Sequence, residues 1–114
     1  MDFEVKAVAR HVRMSPQKVR LVIDQMRGKD AVEALALLRF MPHRAAKPVY
    51  KVIASAVANA EENYGMNRED LYIDAISADG GPTRRWRRFG ARGRFKPILK
   101  RTSHVTVTLK EHQA

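Results

Sequence analysis

The sequence contains no cysteine among its 114 residues. This absence excludes a disulfide framework, thiolate zinc sites, iron–sulfur clusters and a cysteine nucleophile. No apolar run approaches the roughly 20 residues that a membrane-spanning helix needs. Residues 1–4 are acidic and lack an apolar core segment, so the sequence predicts no secretory signal. The chain is expected to lie in a reducing compartment, as one domain of ordinary size.

Acidic side chains are missing from residues 80–110, although that stretch holds 10 of the 22 Lys and Arg residues. Residues 1–79 hold 12 basic and 11 acidic side chains, a net charge of only +1. The formal charge of +10 therefore comes from one segment and not from an even scatter. A nearly neutral body with one intensely basic segment predicts a polyanionic partner.

Groups with the spacing of catalytic or metal sites are also scarce. The paired acids at 61–62 and 69–70 are typical of a solvated helix face, and the two glycines at 80–81 lack the spacing of a dinucleotide or phosphate loop. No two histidines have the helical spacing of metal ligands; they are His11, His43, His104 and His112. The sequence therefore predicts no enzyme, no metal site and no cofactor.

Hydrophobic periodicity predicts three helices. Ser15 and Pro16 are suited to start the first helix, which is expected to reach Met26, with Gly28 as a left-handed cap. A second helix follows a capping box that begins at Asp30, and it ends near residue 42. Its expected apolar stripe comprises Val32, Leu35 and Leu38, with Ala34 and Leu37. A third, alanine-rich helix is expected over residues 44–64, beginning properly near 47 and ending at 65.

Alternation of apolar and polar residues predicts strands at 3–10, 71–78 and 103–109. The 24 residues at 79–102, between the last two strands, are too long for an idle loop in so small a domain. We expect an overlong hairpin whose arms reach roughly 30 Å from the body, since a strand residue spans about 3.3 Å. Such a ribbon is marginal alone and would be ordered by its partner.

The composition of this segment suits RNA, because arginine forks bind phosphates and aromatic rings stack on unpaired bases. A disordered basic loop that binds any polyanion is the main alternative, and a membrane surface is a weaker one. A second, smaller patch surrounds the first strand-to-helix turn and includes His11; ordinary surface charge explains that patch equally well. A free-standing nucleic-acid regulator would need a recognition helix or a dimer. An enzyme acting on nucleic acid would need clustered carboxylates.

Several motifs together resemble the L22 family of bacterial ribosomal proteins. They are SPQKVRLV at 15–22, RGK at 27–29, SAVANA at 55–60, GP at 81–82, ARGR at 91–94 and ILKRTSHV at 98–105. The resemblance covers nearly the whole chain. It implies an α+β fold, with three helices packed on a small antiparallel three-stranded sheet and a long protruding β-hairpin. Residues 1–114 would then be a single ribosomal-protein domain, with residues 79–102 as the extended basic hairpin.

The resemblance also implies a function. A member of this family is a structural constituent of the large ribosomal subunit, binds its 23S rRNA, supports assembly and lines the nascent-peptide exit tunnel with its hairpin. The expected partners are large-subunit rRNA, neighbouring large-subunit proteins and the nascent polypeptide, with macrolide antibiotics in the same tunnel affected indirectly. The expected location is the cytoplasm, in the 50S subunit, with no membrane partner.

The cationic residues of the two patches are expected to bind rRNA. They are Arg10, Arg13, Lys18, Arg20, Arg84, Arg85, Arg87, Arg88, Arg92, Arg94, Lys96, Lys100, Arg101 and His104. The part of the hairpin expected to line the tunnel comprises Arg84, Arg85, Trp86, Arg87, Arg88, Phe89, Gly90, Ala91, Arg92, Gly93 and Arg94.

Overall fold

The structure is a computed structural model and describes residues 4–81, 84–89 and 95–112, with segments 84–89 and 95–100 described through their backbone. It contains three α-helices, a short 3₁₀ turn and five strands. In chain order these are β1 (Glu4–Val12), α1 (Pro16–Ile23), α2 (Ala31–Phe40), α3 (Ala46–Tyr64), the 3₁₀ turn (Arg68–Asp70), β2 (Leu71–Gly80), β3 (Arg84–Phe89), β4 (Phe95–Lys100) and β5 (Ser103–Glu111).

The main sheet has the strand order β1-β5-β2, and both pairings are antiparallel. Its central strand is β5, in which Val105, Val107 and Leu109 are fully buried. The alternation seen in the sequence therefore places one face of this strand in the core. Three helices and a three-stranded antiparallel sheet confirm the predicted α+β class.

The helices supply the other half of the core. α3 lies along β1 and β5, whereas α1 and α2 contact β2. α3 ends at Gly65, whose φ of +62° is the left-handed conformation typical of a helix C-terminus. No helix in the described part of the chain is both long and apolar enough to cross a membrane. The buried stripe of α3 comprises Ala46, Val49, Val52, Ile53, Ala56, Val57 and Ala60.

The turn after α1 differs from the prediction. α1 ends at Ile23, before Met26, which is nevertheless fully buried in the turn that follows. Gly28 does adopt a left-handed φ of +78°, but it lies well beyond the helix end. Its backbone N–H donates to the carbonyl of Ile73 at 3.0 Å, so strand β2 anchors the far end of this turn, whereas Gln25 and Met26 still bond to the carbonyls of Val22 and Ile23 in the helix.

The start and the faces of α2 also differ from the prediction. Asp30 is the N-cap residue, but its side chain makes no capping hydrogen bond and instead contacts His112. The predicted stripe was wrong at Val32 and at Leu37, each of which is 42% exposed. The side chains that α2 buries are Ala31, Ala34 and Leu38.

The basic segment contains a second, two-stranded sheet. β3 pairs with β4 in an antiparallel register that runs from Arg84 opposite Lys100 to Phe89 opposite Phe95. The resemblance implies a hairpin tip near residues 84–88 and a returning arm near 92–94, but residues 84–89 form the paired strand β3, so this position of the tip was wrong. Residues 90–94 lie outside the described residues. The Cα radius of gyration is 17.3 Å, compared with about 13 Å for a compact domain of this length.

Candidate nucleic-acid interface

Four chain segments converge at one end of the main sheet. The end of β1 and the end of β2 both pair with the start of β5, because Ser103 lies opposite Val12 on one side and opposite Gly80 on the other. The buried Ser103 hydroxyl donates to the backbone carbonyl of Met14 at 2.5 Å. This bond holds the turn that leads into α1 against β5. The junctions of β2 and β5 with the basic segment lie at this same end.

Exposed cations cluster there. Arg10 and Arg13 flank the end of β1, Lys18 lies in the first turns of α1, and Arg101 precedes β5. We call these residues, with Arg20 and His104, the basic end. Within the described ranges, Arg10, Arg13, Lys18 and Arg101 form no ion pair with a carboxylate. Their charge is therefore available to an external anion.

The opposite end of the sheet is electrostatically compensated. The Lys110 ammonium lies 3.5 Å from both the Glu4 and the Asp74 carboxylates. The pKa of Lys110 is raised, chiefly by the negative charge of Asp74. His112 Nε2 lies 2.6 Å from Asp30 Oδ1. The two ends of the sheet thus differ, since ion pairs join the charged side chains Lys110, Glu4 and Asp74 at one end, whereas the four exposed cations at the other have no carboxylate partner in the described ranges.

Arg20 has a structural role within the basic end. Its Nε and Nη2 donate to the Ala78 carbonyl at 3.1 and 2.8 Å. This fork links α1 to β2. Arg20 therefore differs in role from the neighbouring cations, since substituting it would disturb the packing of α1 on β2 as well as the surface charge.

His104 is fixed by a contact that the sequence did not reveal. Its Nδ1 accepts a hydrogen bond from the backbone N–H of His11 at 3.1 Å, and the two rings meet edge to face with centroids 5.0 Å apart. An accepting Nδ1 leaves the proton of the neutral ring on Nε2. His11 lies at a β-bulge with a φ of +58°, which no side-chain pattern predicts. His104 thus positions the bulge that precedes Arg13.

Gly81 closes the base of the basic segment. Its N–H donates to the Thr102 carbonyl at 2.9 Å, immediately beyond the pairing of Gly80 with Ser103. A Cβ at position 81 would lie 2.5 Å from the Thr102 hydroxyl oxygen and 3.2 Å from His104 Nε2. The side chains of Thr102 and His104 crowd this position, so a side chain at position 81 requires them to shift.

The two adjacent glycines are expected to respond in opposite ways to alanine. Gly81→Ala should lower the free energy of unfolding by about 1–3 kcal/mol, because the new methyl group overpacks a closed site. Gly80→Ala should be neutral or slightly stabilising, since the nearest atom to its Cβ is Pro16 Cγ at 4.0 Å. Urea denaturation followed by circular dichroism measures both variants. Equal midpoints for the two would contradict the close approach at 81.

For the predicted RNA-binding residues of the basic segment, the structure describes the backbone alone, over residues 84–89 and 95–100. β3 carries Arg84, Arg85, Arg87 and Arg88, and β4 carries Lys96 and Lys100. Arg92 and Arg94 lie outside the described residues. In the sequence, β3 begins three residues after Gly81 and β4 ends two residues before Thr102, so their cations are close along the chain to the basic end.

Comparison with known proteins gives the family. Residues 7–110 match the family described as "Ribosomal protein L22p/L17e". The chain belongs to this family. A relative from Synechococcus sp. (strain JA-3-3Ab), named "Large ribosomal subunit protein uL22", is 53% identical over 107 residues, which cover 94% of this chain and 87% of the relative. The resemblance seen in the sequence is confirmed.

Other members of the uL22 family match over almost their whole length. The protein of the same name from Thermoanaerobacter sp. (strain X514) is 52% identical over 96% of this chain and 99% of its own. The one from Herpetosiphon aurantiacus is 50% identical over 95% and 96%.

Proposed function

We propose that this chain is a structural constituent of the large ribosomal subunit, in the cytoplasm, and that it binds large-subunit rRNA through the basic end and through residues 79–102. The observation that carries the proposal is the group of cations at the sheet end from which the basic segment departs, none of which has a carboxylate partner among the residues that the structure describes. Phosphates would be bound mainly by Arg10, Arg13, Lys18 and Arg101. Affinity would come from phosphate contacts and specificity from the shape of the RNA.

The proposal gives residues 79–102 a second role, as a hairpin that lines the nascent-peptide exit tunnel at residues 84–94. The antiparallel pairing of β3 with β4 and the large radius of gyration support an extended ribbon. Its arginines would neutralise phosphates on one side and present donors to a passing peptide on the other. Neighbouring subunit proteins and the nascent polypeptide are the further partners, and macrolides in the tunnel would be affected indirectly.

The proposed role has no turnover chemistry, metal or cofactor. Among the paired acids at 61–62 and 69–70, Glu61 forms an ion pair within the described residues. The Arg68 guanidinium lies 2.7 Å from Glu61, and hydrogen bonding from Arg68 holds the pKa of that carboxyl below its usual value. A scaffold that organises RNA needs folded surfaces and charge, and both are present.

Sedimentation tests this assignment directly. The tagged full chain is expressed in its host, and the lysate is run on gradients at low magnesium, so that the subunits separate, with and without a high-salt wash. Stoichiometric, salt-resistant presence in the large-subunit peak is expected. Migration at the top of the gradient would overturn the proposal and would favour a free nucleic-acid-binding protein.

Removal of residues 84–99 separates the two proposed roles. Gly81 and Thr102, which share a backbone hydrogen bond, would then be connected by four residues. This is a common length for a hairpin loop. The shortened chain is expected to fold and to enter large subunits, because the core lies outside the deleted segment. Only the full chain should crosslink to an arrested nascent peptide. Loss of folding in the shortened chain would show that the segment and the body are not separable.

A further inference from the structure

The outward face of α2 is apolar although it faces away from the core. Leu37 and Phe40 are 42% and 87% exposed, whereas the core side of the helix buries Ala34 and Leu38. A helix that is apolar on both sides is normally covered on both sides. Exposed aromatic and aliphatic side chains that adjoin one another are typical of interaction surfaces. The second face of α2 is thus left uncovered by the part of the chain that the structure describes.

These side chains form a shallow groove. The lining residues are Glu33, Ala36, Leu37, Phe40 and Met41. Four of them are apolar, and the polar one is a carboxylate. A groove of this kind receives an apolar side chain and offers no donor to a phosphate, which the carboxylate would repel.

The two ends of the groove differ in charge. Glu33, at the N-terminal end, lies 3.7 Å from the Lys29 ammonium and is compensated. The C-terminal end is followed by exposed basic groups that have no carboxylate partner within the described residues: Arg39, Arg44 and Lys47. A partner that fits both features presents an apolar side chain flanked by Asp or Glu.

We propose that this face of α2 docks an acidic, apolar-anchored segment of a neighbouring protein in the large subunit. The inference rests on the proposed function for its location, and it assigns a surface other than the basic end. Phe40 is the anchor, because an almost fully exposed aromatic ring loses the most water contact when it is covered. RNA is the competing occupant, and the test distinguishes the two.

The absence of cysteine allows a clean probe. Phe40→Cys and Leu21→Cys each introduce one thiol, on α2 and on the basic-end helix α1 respectively. Leu21 is 63% exposed and lies one turn from Lys18, so it is a matched control at the proposed RNA surface. Each purified variant is first labelled with benzophenone maleimide. It is then incorporated into large subunits and irradiated. The crosslinked partner is identified by mass spectrometry and nuclease digestion.

Position 40 is expected to crosslink to a protein segment rich in Asp and Glu, and position 21 to RNA. In assembled subunits, maleimide should also label the unmodified Phe40→Cys thiol at least about tenfold more slowly than in the free chain, because docking excludes water and reagent. Arg39→Glu with Arg44→Glu should weaken the crosslink at 40 and leave the one at 21 unchanged.

Three results would overturn the inference. RNA crosslinks at both positions would make α2 a second RNA surface, and equal labelling rates at 40 in free and assembled protein would leave its face uncovered. Either result leaves the proposed function intact. Failure of both variants and of the unaltered tagged chain to enter large subunits would overturn the proposed function, and the α2 inference with it.

Discussion

Replacing Arg13, Lys18 and Arg101 together with alanine is expected to weaken binding to purified large-subunit rRNA about a hundredfold at 0.15 M salt. Each phosphate contact contributes a slope of about 0.7–0.9 to the dependence of log affinity on log salt, so three lost contacts lower the slope by about 2–3. These three side chains are exposed and have no ion-pair partner in the described part of the chain. Their removal therefore costs little folding stability. Filter binding across a salt series measures both quantities.

The chain supplies a control with the same change in net charge. Arg27, Lys29 and Arg68 are each ion-paired, with Asp24, Glu33 and Glu61 respectively. Alanine at all three is expected to leave the salt slope nearly unchanged. Equal losses for the two triple variants would mean that binding follows net charge alone, and the localised interface would then be wrong. Arg20 is left out because its guanidinium links α1 to the Ala78 carbonyl.

Ile53→Ala is expected to produce the largest loss of stability, about 2–5 kcal/mol in the free energy of unfolding. Ile53 is fully buried on α3, where the helix meets the sheet. The truncation removes apolar contacts and leaves a cavity that a backbone fixed by sheet and helix cannot fill. Against a total of about 5–15 kcal/mol, this loss threatens folding itself.

The matched change is Leu21→Ala on α1, where the side chain is 63% exposed and the cost should stay within about 0.5 kcal/mol. Ile53→Val is the milder core variant and should cost about 0.5–1.5 kcal/mol. Urea denaturation of the RNA-free protein ranks all three. A loss below 1 kcal/mol for Ile53→Ala would show that α3 does not form the centre of the core.

Strand β5 and helix α3 were predictable because their patterns are regular and long. The alternation of Val105, Val107 and Leu109 leaves one face to bury, and the stripe along α3 has one side that can meet a sheet. α2 was harder, because apolar residues on both sides of a helix leave its periodicity ambiguous. Val32 and Leu37 were therefore assigned to the core, although the structure exposes both.

The remaining errors come from contacts between distant residues. The Asp30 side chain pairs with His112, which lies 82 positions away, so a local capping pattern was misleading. The turn after α1 is held by the Ile73 carbonyl. In the candidate site, the clustered basic residues indicated the correct end of the sheet. The left-handed φ of His11 at the β-bulge could not be predicted, because no residue pattern in the sequence indicates it.

The strand order has a consequence for how the protein is made. The last strand of the main sheet along the chain, β5, is its central strand. β1 and β2 each pair with β5 and not with each other. The sheet therefore cannot form during synthesis until residue 111 has left the peptidyl transferase centre and cleared the exit channel. A chain broken off before β5 keeps its apolar strands unpaired and becomes a substrate for proteases. Synthesis of β5 is thus a precondition for forming the sheet.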